Sequence, residues 1–170
     1  MSLMSPNILL LSIRHQYASA IFEGDKKVEL RRVRPRNLNA DDLILVYATS
    51  PERALVGLLE VEKVVEMSLD RLWLAVENKA GISHDDFMEY YKNLSIGYAI
   101  FLKNALSFEQ PIELSRLKEE WTNFCPPQCY RYLREEEINL IQSMTKHDIL
   151  GMLGKKQTCQ TELLTYDYST

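Results

Sequence analysis

The chain has 170 residues, 46% apolar and 26% charged, with a formal net charge of -4, which suits one globular domain with an extension. The acidic balance excludes indiscriminate coating of nucleic acid, which needs a broadly basic surface. No apolar run approaches the ~20 residues that cross a bilayer, so no membrane role is expected.

Met1-Ser2-Leu3 ahead of Met4 reads as an added leader, and the N-terminus lacks the basic region and longer apolar core of a signal peptide; a cytoplasmic protein is expected. Asn7 to Ile13 is almost wholly apolar and predicts a buried strand. Tyr17, Ala18, Ile21 and Phe22 then recur at helical spacing, predicting a helix from His15 to Glu23 that stops at Gly24.

The next stretch, Gly24 to Arg36, sets six cations against two acids. Removing six of the 20 bases and two of the 24 acids leaves 14 against 22, so a basic segment sits on a strongly acidic body. Clustered Lys and Arg raise the potential seen by an anion. Val28 and Leu30 alternate with Lys27, Glu29 and Arg31, the period of a strand with one apolar and one charged face. Glu29 and Arg31 then lie roughly 7 Å apart on that face, close enough to pair with each other or to share one ligand.

Pro35, Asn37, Asn39 and Asp41 mark a loop, and Leu43 to Ala48 reads as a strand covered on both faces. Ala54 to Met67 is long for one strand, and Gly57 predicts a bend within it. Ser68 to Gly81 predicts a helix, with Leu69, Leu72, Trp73 and Val76 on one face. Ser83 with Asp86 resembles a capping box ahead of a second short helix carrying Phe87, Tyr90, Tyr91 and Leu94. Tyr98 to Leu106 and Pro111 to Leu114 read as further strands.

Beyond Ser115 come a charged turn, then Trp121, Phe124, Cys125-Pro126-Pro127 and Tyr130-Arg131-Tyr132. These aromatics either pin an extension onto the domain or stack a planar ligand, at about 1 to 3 kcal/mol per base. Glu135 to Met144 predicts a terminal helix, Ile149 to Leu153 a further turn, and Lys155 to Thr170 a polar tail. Cys125, Cys129 and Cys159 are too few and too irregular for a disulfide framework or a four-ligand metal site, and the histidines are scattered. No metal or other cofactor is expected.

Gly24-Asp25-Lys26-Lys27-Val28-Glu29-Leu30-Arg31 resembles the Gly-x-Lys-x-x-Glu-x-Arg signature of the ASCH domain, in the PUA-like group. The likeness extends through Leu11-Ser12-Ile13-Arg14, Tyr47-Ala48-Thr49-Ser50 and Val56-Gly57-Leu58-Leu59-Glu60-Val61, covering about residues 7 to 114. The resemblance implies an α+β fold built on a small mixed-strand barrel with flanking helices (7–114), to which residues 115–154 add a helical extension and 155–170 a tail. It further implies binding of RNA or a nucleotide-like ligand, in a regulator of transcription or translation, at a cleft holding Lys26, Glu29 and Arg31. Arg14, Lys27, Arg32, Arg34, Arg36, Tyr47 and Tyr130 are the further candidates around it. The extension is the candidate surface for a protein partner or homodimer. Some small ASCH proteins hydrolyse N4-acetylcytidine, which would give Lys26 and Glu29 acid and base roles; there a threonine stands where this chain has Glu29, and a further acid falls near Ala80.

Overall fold

The computed structural model describes residues 7–149 and 151; the leader, Met152, Leu153, Cys159 and the tail lie outside the described residues. The first strand, β1, spans Ile8–Ile13, helix α1 His15–Glu23, β2 Val28–Arg31, β3 Leu43–Ala48 and β4 Ala54–Ser68. Helices α2, Leu69–Val76, and α3, His84–Tyr90, precede β5, Ile96–Glu113; α4, Leu114–Glu120, β6, Tyr130–Tyr132, and α5, Glu135–Thr145, follow.

Six strands form one sheet in the order β2-β5-β4-β3-β1-β6, antiparallel except for the parallel pair β1–β3. The expected barrel is not closed. The strand β2 has only four residues and ladders to β5 alone, and the seam between it and β1 is spanned by side chains: Arg31 reaches the Ser12 carbonyl (3.5 Å) and Cys129 Sγ (3.0 Å). That seam becomes the cleft described below.

The strands curl because β4 and β5 slip register at several points, one beside Gly57. A Cβ on Gly57 would run into the Leu106 carbonyl oxygen and lie 2.7 Å from the Phe22 ring, so only glycine lets β4 pass so close to β5 and α1. The two expected C-terminal strands are one bent strand, β5, running through Pro111.

Side-chain alternation sends the sheet's apolar residues to opposite faces. Leu9, Leu11, Ile44 and Val46 pack with Ala18 and Ile21 of α1. Ile8, Leu10, Leu43 and Leu45 pack with Leu117, Trp121, Phe124, Ile138 and Ile141 from the C-terminal elements. A third cluster joins Val28 and Leu30 of β2 to Leu72, Val76, Phe87 and Tyr91 of α2 and α3. Each buried Leu, Ile or Val contributes roughly 1.5–3 kcal/mol. Trp121 and Phe124 are thus spent on the core, and residues 115–149 share it with the sheet.

Local signals account for most boundaries. Gly24 adopts φ +90 and donates back to Ala20 and Ile21, ending α1, and Ser83 Oγ accepts from Asp86 N (3.1 Å), starting α3. Ser68 makes no side-chain cap, and α2 ends at Val76, short of the expected Gly81. Among the described residues no helix is long and apolar enough to cross a membrane.

Candidate nucleic-acid interface

The segment Asp25 to Lys27 is pinned by backbone bonds on both sides. Asp25 N and Lys26 N donate to Ala20 O (2.9 and 3.0 Å), Lys27 N donates to Lys79 O (2.8 Å), and Leu102 N donates to Lys27 O (3.0 Å). This threads Lys26 inward between α1 and the chain after α2, where Nζ donates to Ala80 O (2.6 Å) and lies 5.2 Å from the Tyr17 ring centroid. Lys26 is 3% exposed.

Glu29 follows in β2, 6% exposed, with its carboxylate 3.9 Å from Lys26 Nζ and 3.5 Å from Arg31 Nη1. Arg31 continues to Cys129 Sγ and the Ser12 carbonyl. Ser12 in turn donates to Pro127 O (2.7 Å), so the guanidinium is held across the seam by β1 and the segment before β6. Buried charge is costly unless it is compensated. Burial pushes the Glu29 carboxyl up, against the pull of Lys26 and Arg31. Burial pushes the Lys26 ammonium down, against the pull of Glu29. Burial opposes the charge on Arg31 too, but Glu29 and Cys129 beside it leave its pKa raised.

These three side chains form the floor of a cleft of about 560 Å³, within the ~300–1,000 Å³ of small-ligand sites. One wall is the end of β1 and the start of α1, with Ser12, Arg14 and Tyr17; the other is α3, with Asp86, Glu89 and Tyr90. Helix α1 starts there, with Arg14 at its N-cap position and neither a side-chain cap nor an acid in its first turn, so its positive end adds to the charge of this wall. On the other side α3 is fastened to β2 by Tyr90, whose hydroxyl donates to Leu30 O (3.1 Å), and by Tyr91, whose hydroxyl contacts Arg31 O (3.2 Å).

Of the residues singled out in the sequence, Lys26, Glu29, Arg31, Arg14 and Arg32 line this cleft. Lys27, Arg34 and Arg36 are exposed outside it. Tyr47 lies elsewhere: alternation puts it beside Leu43 and Leu45, 3% exposed, against Phe124. Tyr130 packs on the α1 side of the sheet, and its hydroxyl accepts from Arg36 N (3.1 Å); Tyr132 OH donates to Arg36 O. These two tyrosines hold the basic loop after β2 against β6. Sequence reasoning did not single out Ser12, Tyr17, Asp86, Glu89 or Gln128, because only folding brings α3 and the chain before β6 to β2. Among the described residues no group of three His, Cys, Asp or Glu side chains could hold a metal ion.

The ASCH domain family matches residues 11–112, with the cleft's floor inside that span. A protein of Zymomonas mobilis named as an ASCH domain-containing ribonuclease is 33% identical over 137 residues, covering 80% of this chain and 90% of the relative. The crystal structure of ASCH from Zymomonas mobilis superposes with a TM-score of 0.76 at 31% identity, over 81% of this chain and 95% of that one. Human THYN1, solved in complex with DNA containing 5-methylcytosine, shares the fold at a TM-score of 0.54 and 12% identity, covering 84% of this chain and 99% of that one. By the extent of the family match and the identity to the Zymomonas mobilis protein, the chain belongs to the ASCH domain family.

Proposed function

We propose that the protein binds single-stranded RNA in the seam between β1 and β2. The observation that carries this reading is a buried carboxylate, Glu29, between a buried lysine and a largely buried arginine on the floor of an open cleft. Lys26 and Arg31 hold phosphate or base carbonyl oxygens, Arg with a planar fork, and Glu29 accepts from a base's exocyclic amine. Arg14 and Arg32 contact phosphate at the rim, and Lys27, Arg34 and Arg36 contact it further out. A single strand suits the cleft because its bases can be turned inward.

The name of the Zymomonas mobilis relative favours a second activity on the same ligand, strand cleavage. Glu29, with its raised pKa, takes the proton of a ribose 2′-hydroxyl as that oxygen attacks the adjacent phosphorus. The bond from phosphorus to the 5′-oxygen breaks, and Lys26, with its lowered pKa, supplies the proton to the leaving oxygen. The products carry a 2′,3′-cyclic phosphate and a 5′-hydroxyl, and no cofactor is consumed. Hydrolysis of N4-acetylcytidine gains no such support: Glu29 has no hydroxyl, and Lys26 meets the main-chain carbonyl of Ala80 in place of an acid.

Fluorescence anisotropy with a single-stranded RNA of about 12 nucleotides tests binding. Affinity is expected to fall steeply with salt and to drop at least about tenfold in Lys26→Ala/Arg31→Ala. No binding at low salt, or binding that the double substitution leaves unchanged, removes the proposal. Product analysis of the same mixtures, with DNA of the same sequence alongside, decides cleavage: fragments from RNA alone that Glu29→Gln abolishes support it, and fragments unchanged in Glu29→Gln, or none, leave binding only.

A further inference from the structure

The cleft's walls differ in sign. The β1–α1 wall carries Arg14, while the α3 wall carries Asp86 and Glu89, with Arg32 reaching the Lys92 carbonyl beyond the end of α3 (3.5 Å). Both walls line the same cleft as Lys26, Glu29 and Arg31.

Asp86 sits in the first turn of α3, where an acid suits the helix's positive end, but Glu89 is not explained by the helix it sits on. Glu89 lies in the last turn, where negative charge is disfavoured. Asp86 makes no ion pair among the described residues, and Glu89 pairs only with Lys92 (3.6 Å), both side chains largely in solvent. Such a pair contributes little. Two carboxylates beside a site for a polyanion also weaken its attraction for phosphate, so they oppose binding strength as such.

We infer that Asp86 and Glu89 are specificity-determining residues that admit one phosphodiester backbone, held at the Arg14 wall, and repel a second, so that the cleft selects single strands over duplex RNA. This rests on the RNA-binding reading above. A single strand places phosphates at the basic wall and its neutral bases and 2′-hydroxyls, which can donate to carboxylates, at α3. A duplex seated on the same floor brings a second row of phosphates within a Debye length, about 10 Å at 0.1 M salt, of both acids.

The test measures affinity for a single-stranded RNA of about 12 nucleotides and for the same strand paired with its complement, by anisotropy at about 50 mM salt. Wild type, Asp86→Asn, Glu89→Gln, their combination and a control that neutralises two exposed acids of β4 outside the cleft, Glu62→Gln/Glu66→Gln, are compared. The wild type is expected to prefer the single strand. The combined α3 variant should gain about tenfold in duplex affinity with less than about threefold change for the single strand, each single variant going part of the way, and the control should leave the ratio in place. A ratio unchanged in the α3 variants, or moved equally by the control, overturns the inference while RNA binding stands. A wild type that binds neither RNA overturns both.

Discussion

Two glutamates, each beside arginine and nearly buried, have their pKa values shifted in opposite directions. The Glu137 carboxylate takes both its oxygens to Arg131 Nη1 (3.1 and 2.9 Å) and accepts from Arg134 N (2.9 Å). Burial pushes it up, but those bonds and the two arginines win and hold it below the ordinary carboxylate range. Glu29 has its cations at 3.5 and 3.9 Å, and burial wins. A buried acid left less satisfied than its neighbours is a candidate for completion by a ligand, the role proposed for Glu29. For Glu137 the sign follows from linkage: a lowered folded pKa gives stability present above the unfolded value, 4.5, and lost as pH falls through the folded one. Glu137→Gln is therefore expected to cost about 1–3 kcal/mol near neutral pH, with the deficit shrinking below pH 4.5; urea unfolding at a series of pH values checks it, and a pH-independent deficit contradicts the assignment. At this scale the sequence was informative where spacing is local. The Gly-x-Lys-x-x-Glu-x-Arg run located Lys26, Glu29 and Arg31, whereas alternation alone favoured Lys27, which the turn ahead of β2 leaves exposed.

Elements with a strong period were legible and those made by contact were not. The helix α1 and the strand β3 match their expected limits because each is specified by its own residues, an apolar stripe ending at Gly24 and an unbroken apolar run. The helix α4 read as a charged turn, since its seven residues present only Leu114 and Leu117 to the core. The strand β6 was not foreseen as a strand, its aromatics reading either as a pin for the extension or as a ligand platform, since three residues become a strand only by pairing with Leu9, Leu10 and Leu11 of β1. With α5, α4 and the loop after it cover one face of the sheet, placing Leu117, Trp121, Phe124, Ile138, Ile141 and Met144 over Ile8, Leu10 and Leu43. Losing one large buried side chain typically costs 2–5 kcal/mol, a sizeable part of a domain's whole 5–15 kcal/mol. A chain ending after Leu114 is thus expected to lose cooperative unfolding and to bind a dye for exposed apolar surface; a sharp thermal transition in that fragment contradicts a shared core.

At the scale of the molecule, the same open seam accounts for both the departure from a barrel and the site. The resemblance carried a closed barrel with it; four residues of β2 suffice for one ladder, and the polar side chains filling the other side cannot close a second. The chain's charge is laid out accordingly, with a net -4 overall and cations gathered on the floor, the Arg14 wall and the outer loop of Arg34 and Arg36. Composition made the basic segment visible but could not divide it between cleft and outer surface, because that division depends on where Tyr130 and Tyr132 clasp Arg36. The division is also what experiment reaches most directly: the crystal structure of the protein with a short single-stranded RNA. The account predicts a nucleotide in the seam, its base edge against Glu29 and its phosphate between Arg31 and Arg14. RNA lying along Arg34 and Arg36 with the seam left to solvent would contradict it.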